Sequence, residues 1–268
     1  MLLKFRASDN TQLNYLDHGQ GRLIIFQHGF GMDHQQVVDT WPNFRNIRLV
    51  CLDTRGHGLS ELGPESTLSF TRAVTDLLEL IDHLDESPVA VGGTSLGAAL
   101  VMQLSKQIAT SHLVLSRPAF GIDGDTHNFE VFRVLERIIQ ERSSSEWLQT
   151  LEQTKEFRVL AMSAPRNQET YRRLLNHPRL GDLMDWMRAL DQEALSVEAS
   201  DITQYQGRVD VIGQSHDALH PLQLALDLAS LYPNAKVHEI APGFASDDEN
   251  QESVRHTLYE ILKCYDYL

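Results

Sequence analysis

Cysteine is nearly absent. The 268 residues hold two, Cys51 and Cys264, far apart in the chain. Two unclustered cysteines argue against a disulfide framework and against a cysteine-built metal site. Positive charge is also scarce: 23 Lys and Arg stand against 37 Asp and Glu, a formal net charge of -14. No basic face is then expected to neutralise phosphates, so neither nucleic acid nor an anionic membrane is an expected partner. The plain reading of the acidity is solubility. Long apolar runs are missing, so no membrane span is expected. The start, Met1-Leu2-Leu3-Lys4-Phe5-Arg6, carries charge too early for a signal-peptide core, and a cytoplasmic location is the default expectation. The 12 histidines are scattered, with no H-E-x-x-H or comparable cluster. No metal site is therefore expected.

The sequence is otherwise that of an ordinary globular protein, 42% hydrophobic and 22% charged. Its length allows one large α/β domain or a core with an inserted lid. The most informative stretch is Val91-Gly92-Gly93-Thr94-Ser95-Leu96-Gly97-Ala98-Ala99. It follows an apolar run and precedes a small-residue segment that reads as a helix. Gly93 to Gly97 fits G-x-S-x-G, the nucleophile elbow. A serine lifted clear of a sheet edge sits on a sharp strand-to-helix turn, and bulky neighbours would block that turn. The following helix points its first amides at the reacting centre, where negative charge develops. The plain alternative is an ordinary glycine-rich turn.

Along the chain, apolar runs alternate with amphipathic stretches. Strands are expected at Leu2–Arg6, Gln12–Leu16, Leu23–Phe26, Ile47–Leu52, Pro88–Val91, His112–Ser116, Arg208–Gly213 and Ala235–Ile240. A helix is expected where Phe70, Ala73, Val74, Leu77, Leu78, Ile81 and Leu84 recur at helical spacing. Two more follow Pro221 and close the chain around Val254, Leu258, Ile261 and Leu262. The alternation predicts a mostly parallel, doubly wound α/β sheet. It breaks between residues 121 and 203, which offer no buried strand. Helical stretches appear there instead at Phe129–Gln140, Glu146–Gln153, Gln168–Leu175 and Leu180–Ala194. Residues 1–120 and 204–268 are thus the expected core, and 121–203 an inserted helical cap. Trp147, Trp186, Met162, Met184 and Met187 are expected mainly in the cap's own core, with some at a pocket wall.

These residues together resemble the α/β-hydrolase family. Three motifs carry the resemblance: His28-Gly29-Phe30-Gly31, Asp53-x-Arg55-Gly56-His57-Gly58-x-Ser60 and Gly93-Thr94-Ser95-Leu96-Gly97. The resemblance implies Ser95 as nucleophile and the backbone N–H groups of Phe30 and Leu96 as oxyanion donors. His28 and His57 are tempting as bases, but the resemblance implies structural roles for both, and Asp53 and Arg55 are expected to hold loops together. Asp217 matches the family's acid position after the strand Arg208–Gly213, the alternative being a polar loop residue.

The base departs from the pattern. The family places its histidine after the last strand, where this chain has Phe244. A serine without a base is a poor nucleophile near neutral pH. His220, three residues past Asp217, is the best stand-in, and a plain helix-start residue is the competing reading. His238 and His256 are weaker candidates. A narrower likeness, to a bacterial subgroup of hydrolases that often lacks the usual histidine, rests on Ser116-Arg117-Pro118-Ala119-Phe120 and Asp217-x-x-His220-Pro221 as well as the motifs above. Two functions follow. The first is a cofactor-free serine hydrolase acting on a small ester, thioester or related acyl compound through an acyl-enzyme, with an atypical or missing base. The second is a catalytically impaired hydrolase-fold protein that binds or regulates. Ser95 disfavours a dehalogenase, which would carry aspartate at the elbow.

Overall fold

The computed structural model describes residues 1–122, 129–192 and 197–266. Eight strands form one sheet: β1 (Leu2–Arg6), β2 (Gln12–Gly19), β3 (Arg22–Gln27), β4 (Ile47–Leu52), β5 (Ala90–Thr94), β6 (His112–Ser116), β7 (Arg208–Gln214) and β8 (Ala235–Ile240). Their order is β1-β2-β4-β3-β5-β6-β7-β8. β1 pairs antiparallel with β2, and β2 with β4. Every later pairing is parallel.

The unbroken apolar runs reflect a sheet covered on both faces. In β3, Leu23 and Ile25 join one core, while Ile24 and Phe26 join the other. Helices α2 (Phe70–Leu84), α3 (Leu96–Leu104) and α10 (Leu222–Leu231) build the first core, and α1 (His34–Thr40) and α11 (Asp247–Asp266) border the second. Cys51 is fully buried there as a small hydrophobe, whereas Cys264 is exposed. Among the described residues, no helix is long and apolar enough to cross a membrane.

Between β6 and β7 the described residues form helices α4 (Glu130–Glu141), α5 (Trp147–Gln153), α6 (Lys155–Ser163), α7 (Asn167–Leu175), α8 (Leu180–Gln192) and α9 (Ala199–Gln204). They bury a cluster of their own around Leu135, Leu151, Phe157, Tyr171 and Leu183. The sequence pattern misses α6 and α9. Each is short, and α9 buries only Ile202. Residues 193 and 194, expected to end the helix now seen as α8, lie outside the described residues. Met162 departs from its expected place in a core: it is 88% exposed on α6. Met184 and Trp186 are buried, and Met187 lines the cavity described below. The Trp186 indole N–H donates to the Arg55 carbonyl at 2.7 Å and so fastens α8 to the loop after β4.

The motifs converge because parallel strands end at one edge. Gln27 of β3 sits opposite Gly93 of β5, Thr94 opposite Ser116 of β6, and Ser116 opposite Ile212 of β7. The loops after β3, β5 and β7 therefore share one rim, the usual ligand side of such sheets.

Candidate active site

The elbow is built by close approach. A Cβ on Gly93 would lie 2.4 Å from the Gly97 carbonyl carbon, and one on Gly97 would lie 2.5 Å from the Gln27 oxygen. Only glycine lets β5 turn this tightly into α3. Ser95 sits at the apex with φ 56° and ψ -111°, a conformation an L-residue adopts only under constraint. Its N–H donates to Ser116 O at 3.0 Å, and its carbonyl accepts from Ala98 N at 3.0 Å. Those bonds hold the strained residue in place.

Two amide sources flank the serine. Leu96 opens α3, so its N–H belongs to the first turn, which has no intrahelical acceptors and carries the positive end of the helix dipole. Phe30 lies in the turn after β3. That turn is fixed by Gly29 N donating to Gln36 Oε1 at 2.7 Å and Met32 N donating to Gly29 O at 3.2 Å. It lies against the elbow, since a Cβ on Gly29 would stand 3.5 Å from Ser95 Cβ.

The loop after β7 supplies a carboxylate and an imidazole together. His220 Nδ1 lies 2.8 Å from Asp217 Oδ2, and its Nε2 lies 3.0 Å from Ser95 Oγ. With the ring proton on Nδ1, imidazole donates to the carboxylate and accepts from the serine hydroxyl. Asp217 Oδ1 accepts three further bonds, from Asn167 Nδ2 at 3.0 Å, Leu219 N at 3.0 Å and His220 N at 3.1 Å. Burial opposes ionisation of Asp217. The charge and hydrogen bond of His220, the charge of Arg117 and the Asn167 amide outweigh it and hold the carboxyl well below the usual carboxylate range.

The other histidines weighed as bases hold different places. His28 is fully buried with both ring nitrogens engaged: Nδ1 with Gly29 O at 2.8 Å, and Nε2 accepting from Thr54 N at 3.0 Å. His57 is buried, with Nδ1 3.1 Å from Arg55 O. Burial pulls both below the ordinary histidine value. His238 Nε2 faces Asp210 Oδ1 at 2.6 Å, and His256 is exposed on α11. Asp53 accepts from His34 N and Leu59 N, and Arg55 pairs with Asp76, so both tie loops together. Phe244 follows β8, 59% exposed, with its ring edge-on to His216 at 5.2 Å.

Asn167 has no precedent in the sequence pattern. It stands at the start of α7, where its Oδ1 accepts from Ala218 N at 2.8 Å while its Nδ2 holds Asp217. No motif marks a contact between residues 50 positions apart. Ser95, His220 and Asp217 open on a cavity of about 750 Å³. Its wall includes Phe30 from the β3 turn, Phe132 from α4 and Met187 from α8.

Residues 20–195 match the family described as serine aminopeptidase, S33. Among curated proteins, the magnesium-chelatase 30 kDa subunit of Rhodobacter capsulatus is 27% identical over 111 residues, which is 41% of this chain and 37% of that one. The chain thus spans little more than a third of that relative's length. Three solved structures are similar over nearly the whole chain. An esterase from Exiguobacterium antarcticum is 19% identical with a TM-score of 0.72, covering 100% of both chains. A thermophilic esterase from Thermogutta terrifontis is 19% identical with a TM-score of 0.70, covering 99% of both. A meta-cleavage product hydrolase from Pseudomonas fluorescens is 18% identical with a TM-score of 0.72, covering 98% of both. At these identities the likeness is one of fold.

Proposed function

The chain belongs to the α/β hydrolases of the serine aminopeptidase family S33, and from that premise we propose that it is a serine hydrolase acting on a small ester, thioester or related acyl compound through an acyl-enzyme. The hydrogen-bonded chain from Ser95 Oγ through His220 to Asp217 carries this reading. His220 Nε2 takes the hydroxyl proton as Ser95 Oγ attacks the acyl carbon. Asp217 holds the Nδ1 proton and stabilises the imidazolium. The N–H groups of Phe30 and Leu96 receive the oxyanion. Collapse of the tetrahedral intermediate expels the alcohol or thiol, which takes the proton from His220. Water, activated by the same ring, then releases the acid and frees Ser95. The helices between β6 and β7 act as a lid, contributing Phe132, Met187 and Asn167 to the site.

The binding-protein alternative started from Phe244, which stands where a base is expected. A histidine at 3.0 Å from Ser95 supports the hydrolase reading over it. Labelling with a fluorophosphonate, followed by mass spectrometry of the labelled peptide, tests the reading. Wild type should be modified at Ser95, and His220→Ala should label far more slowly. A folded wild type that resists labelling would return the choice to a binding protein.

A further inference from the structure

Arg117 follows β6 immediately and lines the same cavity as Ser95. Its backbone adopts φ 44°, an unusual conformation for a residue with a side chain, and its N–H is tied to Ile212 O at 2.7 Å. Its guanidinium has an unusual environment. Nε is buried with no hydrogen-bond partner, and no carboxylate among the described residues lies within ion-pair distance. Burial pulls this guanidinium below the ordinary arginine value, opposed only by the field of Asp217.

The other arginines on the cavity wall are matched. Arg166 pairs with Asp247, Arg172 with Glu152 at 2.8 Å, and Arg173 with Glu169 at 3.5 Å. Arg133 has Glu130 at 3.8 Å. Asp217 cannot serve Arg117 in the same way, because its two oxygens already accept four bonds. A guanidinium stays protonated even when buried, and an unmatched buried charge is unfavourable. Its planar fork fits a carboxylate through two parallel hydrogen bonds. The cavity wall is mixed, and Phe120, Phe129, Phe132 and Met187 give it an apolar part.

From the unpartnered Arg117 beside Ser95 in one cavity, we propose that the substrate carries a free carboxylate, bound by Arg117, besides the acyl bond that is cleaved. This rests on the serine-hydrolase reading of the same site. It makes Arg117 a specificity residue: the carboxylate supplies the missing counter-charge, and the aromatic wall takes the chain between the two functional groups.

Methyl hydrogen glutarate and methyl pentanoate test this. Both have a five-carbon acyl chain, and only the first is anionic. Wild type should favour the glutarate ester. Arg117→Gln should lower kcat/KM on that ester by about ten- to a hundredfold, chiefly through KM. The pentanoate ester should lose at least about tenfold less, since only the charge that Arg117 lends to Asp217 is removed there, and Arg117→Lys should fall between. Glutarate should inhibit pentanoate hydrolysis competitively in wild type and not in Arg117→Gln. Equal losses on both esters, with a shifted pH–rate profile, would overturn the proposal and make Arg117 a partner of Asp217 alone. Calorimetric titration of wild type and Ser95→Ala with glutarate separates the two failures. Arg117-dependent binding without turnover keeps the carboxylate site and rejects the hydrolase. Labelling at Ser95 without glutarate binding does the reverse.

Discussion

Replacing His220 by alanine is the most direct perturbation of the site. The substitution deletes the acceptor 3.0 Å from Ser95 Oγ and one of four bonds to Asp217. The three bonds from Asn167, Leu219 N and His220 N survive, because none uses the imidazole. The loop should therefore keep its shape, and the thermal midpoint should move little. The loss falls on the chemical step. General-base assistance alone contributes about 10²- to 10⁴-fold, and loss of one member of a cooperating trio reaches about 10⁶. We expect kcat to fall about 10⁴-fold, equivalent to about 5.5 kcal/mol in the barrier. KM should stay within about threefold, since the ring binds no ground-state group in this scheme. Steady-state hydrolysis of p-nitrophenyl acetate measures this. The double variant His220→Ala, Phe244→His sharpens the test. The side chain at 244 is largely in solvent beside His216, and a Cβ on Gly243 would meet His216 O at 2.2 Å, so that loop has little room to shift. A histidine there should restore less than about tenfold. If the single variant kept more than about a tenth of wild-type activity, or the double variant recovered it, the assignment of His220 as base would be wrong.

Asn167→Ala removes a charge-assisted bond to Asp217 and should lower kcat about tenfold while Ser95 remains open to labelling; the ester assay reads the first and mass spectrometry the second. Gly97→Ala drives a methyl group to within 2.5 Å of the Gln27 carbonyl oxygen. It should cost about 3 kcal/mol or more in urea unfolding, or prevent recovery of folded protein. Asp210 is buried among His112, His238 and Arg208. Burial opposes its charge, but those three partners outweigh burial and hold the carboxyl well below the usual range. A carboxyl lowered on folding stabilises the native state above its unfolded pKa, near 3.9, and ceases to do so as pH falls through its folded value. Asp210→Asn should therefore cost about 3 kcal/mol at neutral pH, and its deficit against wild type should shrink below about pH 4. Urea titrations at several pH values would show this, and a deficit independent of pH would contradict it.

The sheet was legible because burial on both faces leaves continuous apolar runs such as Leu23–Phe26 and Leu49–Leu52. The elbow was legible because its geometry admits so few side chains around Ser95. Short helices were harder. α1 buries a single residue, Val37, which gives no periodic stripe to read. The spacing of Asp217 and His220 marked a pair on one loop, but only the fold sets their distance from Ser95. Asn167 left no local signal, and Arg117 stood in a short motif that gave its side chain no role. One is defined by a contact across 50 residues, the other by a missing counter-charge, and neither property belongs to a stretch of sequence. The exposed Met162 shows the opposite failure: an apolar residue in a helical stretch need not face inward.

The sharing of one loop by Asp217 and His220 changes the mechanics of the site. When acid and base ride on separate segments, two independent displacements can spoil alignment. Here a 2.8 Å bond within a single short turn ties them into one unit. The distance between His220 and Ser95 joins that pair to the elbow. That unit is also leashed to α7 through both polar atoms of the Asn167 amide. A swing of α7 would pull on the pair as a unit, lengthening or shortening one distance and leaving the acid–base contact intact. In the proposed mechanism, a displacement of α7 would therefore be felt at Ser95 through this one distance.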